Sequence, residues 1–470
     1  MTGTPPSMRS FKLPNTFVLL FLLLTLIALA TWFVPGGAYA MHELNGKQLI
    51  DPESFRYIAS RPQGPVALLM APIKGFVEAA LIIGFVLIVG GAFAVLQKTE
   101  AIDALIKSVA KRHQDSALIR ALLIPVFVTL FSLGGATFGM AEEAIPFVMI
   151  FIPLALALGY DSIVGVSIPF IGSQVGFAAA FLNPFNVGVA QGIAGVPLFS
   201  GIGFRLIVWL LATAITIVFL SWYAASVKRH PAYSPCFELD QSRRAQIDLH
   251  GFKSFTGMSR QHTLVLVIFA LTLGAMVLGV VRYAWYIEEI AALFLAMSII
   301  VAFAGRLNTD EFVAAFMQGA RDLVTTALVI ALARGTMILA RDAHIIDTLL
   351  HGLMPYVQST SPAFAAQKMF VIQSIINFFI HSGTGQAALT MPIMAPLADL
   401  VGVSRQTAIL AYQFGEFTTP MIPTSGITVG VLALAGIPWS KWARWMMPLQ
   451  LMYLVLSLVL LGVASWMNWQ

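Results

Sequence analysis

The stretches Phe131-Ser-Leu-Gly-Gly-Ala-Thr-Phe-Gly-Met-Ala-Glu-Glu-Ala-Ile-Pro146 and His381-Ser-Gly-Thr-Gly-Gln-Ala-Ala-Leu-Thr-Met-Pro392 each interrupt a long apolar segment with small and polar residues. Each is followed by an apolar helix that breaks at proline, at Asn183-Pro184-Phe185-Asn186 and at Thr418-Thr-Pro-Met-Ile-Pro-Thr-Ser425. Within a bilayer, backbone outside a helix is tolerated only where protein buries it or where it lines a cavity. Two such breaks in corresponding places of two halves point to a transport site between them.

The surrounding composition requires a membrane. Of 470 residues, 58% are apolar and only 10% charged, with a mean hydropathy of +0.85, whereas a soluble domain carries about a quarter charged residues. The formal net charge of +5 gathers in a few loops, as expected at a cytoplasmic face, and calls for no nucleic-acid partner. Cys236 stands alone, which excludes an internal disulfide and a cysteine metal cluster. Arg9 and Lys12 precede an apolar run at 16–34 that imitates a signal peptide. The run is longer than an h-region, and Trp32-Phe-Val-Pro-Gly36 offers no small-residue cleavage site, so it reads as a retained helix.

Nine spans follow, at 16–34, 75–96, 161–194, 206–224, 262–280, 290–304, 323–340, 407–435 and 446–466. The polar segment 35–65 balances Lys47, Arg56 and Arg61 against Glu43, Asp51 and Glu53 and suits the outer face. Segment 100–115 reads as an interfacial helix, with Ala101, Ile102, Leu105 and Val109 opposite Lys107, Lys111 and Arg112. A second interfacial segment runs 344–358, and Trp466 and Trp469 anchor the last helix. Segments 117–158 and 365–400 are two helix lengths with interrupted middles. Glu142 and Glu143 would be costly in lipid, so re-entrant hairpins accommodate these segments better than pairs of full spans. The expected fold is an all-α polytopic membrane protein of about nine transmembrane helices plus two re-entrant hairpins. Its parts are 1–227, containing hairpin 117–158; a basic cytoplasmic linker, 228–260; and 261–470, containing hairpin 365–400. The linker carries Lys228, Arg229, Arg243, Arg244, Lys253 and Arg260.

The halves echo each other. Gly75, Glu78, Gly91, Ile102 and Asp103 match Gly319, Asp322, Gly335, Ile346 and Asp347; Gly135, Gly139 and Pro146 match Gly383, Gly385 and Pro392. Gln174 and Pro184 match Gln413 and Pro423, and Ala194-Gly-Val-Pro197 matches Ala435-Gly-Ile-Pro438. In the topology above, 75–96 runs inward and 323–340 outward. The halves are therefore expected to be two inverted repeats, with 262–280 as the unpaired helix.

Gly134-Gly-Ala-Thr-Phe-Gly-Met-Ala-Glu-Glu143, Leu182-Asn-Pro-Phe185, Val189-Ala-Gln-Gly-Ile-Ala-Gly-Val-Pro197 and Ser382-Gly-Thr-Gly-Gln-Ala-Ala-Leu-Thr-Met-Pro392 carry a resemblance. Together with Ala395-Pro-Leu-Ala-Asp-Leu-Val-Gly-Val403 and Pro423-Thr-Ser425, they make the chain similar, over nearly its whole length, to the YfcC family of bacterial inner-membrane proteins. That family stands with anaerobic four-carbon dicarboxylate carriers and arginine–ornithine antiporters. The resemblance implies two opposed hairpins whose polar tips bind substrate and sodium. One departure is visible: the second broken helix reads Gln413-Phe-Gly-Glu-Phe-Thr418 where the family reads Gln-Phe-Gly-Asp-Gly-Phe. The carboxylate is kept as Glu416 and the glycine after it is lost.

The candidate substrate-binding residues are Gly135, Thr137, Gly139, Glu142, Glu143, Asn183, Ser382, Gly383, Thr384, Gln386, Glu416, Thr424 and Ser425. Glycines admit close approach of backbone to ligand, half-helix ends aim dipoles at charge, and acids at membrane depth attract cations or carry protons. The bland alternatives are helix packing through small residues and carboxylates capping a half-helix. Gln174, Asn186, Gln413 and Thr419 are candidates for ion coupling, since neutral oxygens replace a cation's hydration shell; they equally suit carbonyls freed by proline. Arg334 suits a substrate carboxylate or an ion pair, and His381 a proton relay or a packing bond. No glycine-rich loop precedes Lys-Ser or Lys-Thr, which disfavours an ATP-driven pump. No nucleophile–base pair stands out, so an enzyme is not expected. The sequence thus reads as a secondary transporter of a small charged solute in the inner membrane. Its acids favour a basic amino-acid antiporter, with a dicarboxylate carrier and a passive channel as alternatives. No cofactor or metal is expected beyond a coupling sodium ion or proton, and the expected partners are substrate, lipid and, by analogy, a second copy in a homodimer.

Overall fold

The computed structural model describes residues 16–44, 47–50, 54–246, 257–283, 285, 287–357 and 361–470. Arg9, Lys12, Asp51, Glu53, Lys253 and Gln358, and with them the middle of the linker, lie outside the described residues. Helix α1 (Thr16–Ala30) leads into the polar segment. There, β1 (Gly36–Ala38) pairs antiparallel with β4 (Arg56–Ile58) around a second ribbon of β2 (Met41–Leu44) and β3 (Lys47–Ile50). These short ribbons are the exception in an otherwise helical chain.

The span expected at 75–96 begins earlier, at a proline suited to a first helical turn. It forms α2 (Pro65–Glu78) and α3 (Ala80–Lys98), kinked at Ala79. Residues 66–74 fall between the polar segment and the expected span, and Lys74 marks the boundary. In the fold Lys74 is paired with Asp342 at 2.6 Å, and Glu78 with Arg334 and Arg341. Helix α4 (Ala101–Asp115) buries Ala101, Ile102 and Ile106 and exposes Lys111 and Arg112, as its spacing predicts.

The first hairpin is α5 (Ala117–Phe138) and α6 (Ile145–Ala157). With 13 residues, α6 is about 20 Å long, too short for a bilayer core of about 30 Å, so the chain turns back part-way. Helix α7 (Ser162–Ala178) is apolar on every side and buried along almost its whole length. It breaks before α8 (Val189–Ala194), and α9 (Ile202–Arg229) follows. The linker contributes α10 (Phe237–Gln246).

In the second half, α11 (Arg260–Tyr283) and α12 (Ile287–Ala304) precede α13 (Thr309–Asp322) and α14 (Val324–Asp342). Segment 306–322 reads as an acidic loop in the sequence. It is helical because Asn308 and Glu311 form a capping box that satisfies its first amides. Helix α15 (Ile345–Leu353) lies against β1. The second hairpin is α16 (Pro362–Asn377) and α17 (Gly383–Leu400). Helix α18 (Arg405–Gly415) breaks through a tight turn at Glu416–Met421 into α19 (Gly426–Leu434), and α20 (Trp439–Trp466) closes the chain. Among the described residues, seven helical stretches are long and apolar enough to cross a membrane, with shorter apolar helices at Phe17–Ala30, Ser162–Ala178, Arg260–Met276 and Leu389–Leu400. The protein is a multi-pass membrane protein.

The helix contacts are paired in a similar way in the two halves. Helix α2 lies on α14 and α3 on α13, while α1 covers α14 and α12 covers α3. Each broken helix sits within its own hairpin, α7 against α5 and α6, α18 against α16 and α17. The second halves cross over, so α8 packs on α17 and α19 on α6. Each crossing ends at a glycine of positive φ, Gly195 at 70° and Gly436 at 61°. The carbonyl just before it accepts from an arginine: Arg405 Nη1 reaches Ala194 O at 2.7 Å, and Arg243 Nη2 reaches Ala435 O. Arg405 opens α18, whereas Arg243 belongs to α10 and also donates to Ser162 Oγ at 2.7 Å.

Candidate functional site

A cavity of about 230 Å³ lies where the two tips and the two helix breaks converge. Its first wall is the tip of the α5–α6 hairpin. Helix α5 ends at Gly139, whose φ of +78° suits glycine and whose Cβ, if present, would stand 2.8 Å from Asn183 Oδ1. Beyond it, Glu143 turns back, and its Oε2 accepts the Ala141 amide at 2.9 Å. Glu142 lines the cavity and has no ion-pair or side-chain partner among the described residues.

The second wall is the start of α17. Ser382 caps this helix by accepting from Gly385 N at 3.2 Å, and Ser382, Gly383 and Thr384 face the cavity. Thr384 Oγ1 donates to Phe185 O at 2.8 Å, tying the second tip to the first broken helix. The third wall is the start of α19, with Thr424, capping Ser425 and Gly426. His381 braces these two walls: Nδ1 lies 2.8 Å from Asn377 O and Nε2 2.6 Å from Thr424 O. The fourth wall belongs to α14, from which Arg334 enters with Nη2 3.0 Å from Glu78 Oε1. Phe177, Phe185 and Trp285 supply aromatic surface.

The walls are electrically unequal. Helix α5 presents its C-terminus, the negative end of a helix dipole, next to the Glu142 carboxylate. Helices α17 and α19 present N-termini, the positive ends, on the side of the cavity that also holds Arg334. The cavity is therefore lined by acidic side chains at the first tip and by Arg334 and two helix starts elsewhere.

The other candidates stand behind these walls. Gly135 is packing, since a Cβ there would come within 2.1 Å of Ser173 O, and Thr137 bonds its own helix at Leu133 O, 2.6 Å away. Asn183 spans the first break, donating to Gly135 O at 3.3 Å and accepting from Phe185 N at 2.8 Å. Asn186 donates to Phe177 O and Gln413 to Ala180 O, so both satisfy carbonyls freed by that break. Gln174 is buried with Nε2 unpartnered. Gln386 donates to Gln373 beneath the second tip.

Glu416 does not line the cavity. It is buried under the second hairpin, where Oε2 accepts from Thr419 Oγ1 at 3.1 Å and Oε1 has no partner. Asn377 Nδ2 reaches the same Thr419 hydroxyl at 2.9 Å. Asn377 Oδ1 and Gln386 Oε1 are likewise buried without partners.

Sequence reading passed over Arg205, which precedes the span expected at 206–224 and looks like a flanking charge. It is fully buried. Its guanidinium meets Gln413 Oε1 through Nη1 and Gln406 Oε1 at 3.0 Å through Nη2, and lies 5.2 Å from the Trp469 ring. The glutamines at 406 and 413, two helical turns apart on α18, were the available signal.

A family described as the C4-dicarboxylate anaerobic carrier, DcuC, matches residues 13–465. The chain belongs to that carrier family. Among its relatives is an Escherichia coli K12 protein named "Putative basic amino acid antiporter YfcC", 36% identical over 98% of both chains. A protein of Haemophilus influenzae is 28% identical over 97% of both. Membership bears out the resemblance carried by the hairpin tips. Among solved structures, the YdaH transporter of Alcanivorax borkumensis is 16% identical at a TM-score of 0.42, covering 97% of this chain and 99% of its own. MtrF of Neisseria gonorrhoeae is 15% identical at 0.42, covering 97% and 96%.

Proposed function

We propose that this carrier is a secondary antiporter of a basic amino acid, of arginine–ornithine type, in the cell inner membrane. The observation that carries the reading is the Glu142 carboxylate, without an ion-pair partner among the described residues, in a cavity that also holds Arg334 and two helix N-termini. An amino acid would place its carboxylate toward Arg334 and the starts of α17 and α19, and its side-chain cation toward Glu142. The family's name favours a second reading, a four-carbon dicarboxylate. Arg334 and the helix starts suit one carboxylate, but a second would have to approach Glu142. Two repeats of inverted orientation would let this site face either side in turn.

Counterflow in proteoliposomes tests the class and the substrate together. Preloaded arginine or ornithine should accelerate uptake of the labelled amino acid, whereas a channel would show no such stimulation. Glu142→Gln should weaken basic amino-acid binding by about thirtyfold or more, the scale of losing one partner of a buried charge pair. Unchanged affinity would remove Glu142 from the site and, with it, the case for a cationic substrate.

For coupling, we propose that Glu416, Asn377, Gln386 and Thr419 hold one monovalent cation, sodium or a proton. One carboxylate and several neutral oxygens balance a single positive charge. Sodium, compared with choline at constant ionic strength, should raise the melting temperature of the wild type and not of Glu416→Gln. A pH-dependent shift without a sodium effect assigns the proton, and neither effect overturns the site.

A further inference from the structure

We propose that Glu78, which stands behind the cavity wall, sets whether the cavity prefers cations or anions. Glu78 sits on the last turn of α2 and accepts from two guanidiniums of α14, Arg334 at 3.0 Å through Oε1 and Arg341 at 2.7 Å through Oε2. The two arginines are seven residues apart, two helical turns along one face. Lys74 and Asp342 close the ladder at 2.6 Å. The spacing between the helices is fixed by glycine: a Cβ on Gly75 would come within 2.1 Å of Ala331 O and 2.8 Å of Gly335 N. Neither helix can slide to relax the pairs without losing that contact.

The chemistry follows from how Glu78 divides its charge. Arg334 reaches it through Nη2, while its buried Nε has no partner. Arg334 therefore keeps donors for a ligand carboxylate, but its positive charge is opposed by a carboxylate 3.0 Å away. Glu142 has no such counter-charge among the described residues, and Glu143 stands beside it, so the cavity as a whole favours a ligand with net positive charge. Replacing Glu78 with a neutral side chain leaves Arg334, which lines the cavity, without its carboxylate partner, while Arg341 keeps Asp342 at 4.0 Å. Preference should then move toward ligands with excess carboxylate, since removing a like charge near a bound anion and adding net positive field act in the same direction. Glu78 touches no substrate in this scheme; it is a positioning residue that acts through Arg334. The inference rests on the reading of the cavity given under Proposed function.

The test is equilibrium binding of arginine, ornithine, glutamate and succinate to the purified full-length protein, comparing wild type, Glu78→Gln, Glu78→Asp and Arg341→Gln. Glu78→Gln should lower the ratio of basic to acidic affinity by about a hundredfold, about tenfold from each side. Glu78→Asp should restore most of the ratio. Arg341→Gln releases Glu78 wholly to Arg334 and should hold the ratio or raise it, a sign that loss of packing would not produce. An unchanged ratio in Glu78→Gln overturns the proposal, as does a fall of equal size in Arg341→Gln. If Glu78→Gln does not fold, the sign of the Arg341→Gln effect decides alone. A wild type that binds the acids and not the bases defeats the basic amino-acid reading, while the variants still report on Glu78.

Discussion

The two hairpins share a plan and differ in how they are held and charged. The first closes on its broken helix through bare backbone: a Cβ at Gly135 would lie 2.1 Å from Ser173 O, and one at Gly176 1.9 Å from Ser132 O. The second hairpin seats its broken helix less tightly, since a Cβ at Gly415 would lie 3.0 Å from Gln373 C and 3.2 Å from Gln373 O; at its tip, one at Gly383 would lie 3.2 Å from Asn186 and Phe177 and one at Gly385 3.3 Å from Ser382. The charges differ as well. Glu143 folds back onto the backbone of the first tip, whereas neutral Ser382 caps the second and leaves the positive end of α17 open to the cavity. The two hairpins thus carry a tightly seated, acidic tip and a less tightly seated, neutral one.

The largest expected effect tests the tight seat. Gly176→Ala drives a methyl into the Ser132 carbonyl and should cost about 3 kcal/mol or more, read as a large fall in melting temperature or failure to accumulate in the membrane. A near-normal melting temperature would show that the first hairpin can shift after all. Next comes charge. Ser382→Asp copies the acidic tip onto the neutral one; it should lower affinity for the substrate carboxylate by about tenfold while helix capping is retained. Unaltered binding would mean that the start of α17 contributes no field to the ligand. The smallest effect belongs to Gly385→Ala, which gains helix propensity and meets Ser382 at 3.3 Å and Ile380 at 3.7 Å, so stability should stay within about 1 kcal/mol of wild type. A loss as large as that of Gly176→Ala would erase the difference between the seats.

Much of this was legible beforehand because membrane burial leaves coarse marks. The glycine-rich tips, the proline breaks and the matched Gly, Gln and Pro positions located both hairpins and both broken helices. They also named Gly139, Glu142, Glu143, Ser382, Gly383, Thr384, Thr424 and Ser425, which the fold brings to one cavity. Hydropathy failed where charges are cancelled by partners distant in sequence. The start of α2 at 65–74 lay outside the expected span, and Lys74, charged in the sequence, finds its counter-charge on α14, more than two hundred residues away. Arg205 looked like a flanking charge because its glutamine partners belong to α18. Gly135, Thr137 and Gln386 were chosen from the tips, and Asn183 and Glu416 from the helix breaks, by position in sequence, which cannot say which side of a thin wall a side chain takes.

The linker helix α10 has a practical bearing on taking the protein apart. Its Arg243 bridges Ser162, at the head of the first broken helix, and Ala435, at the foot of the second. Asp240 also accepts the Ser162 amide at 2.9 Å. Two half-length polypeptides made separately would both need α10 to find each other at that face. A cut before Phe237 would detach the helix from the half it is docked on, whereas a cut after Gln246 would leave it in place as a ready socket for the second fragment.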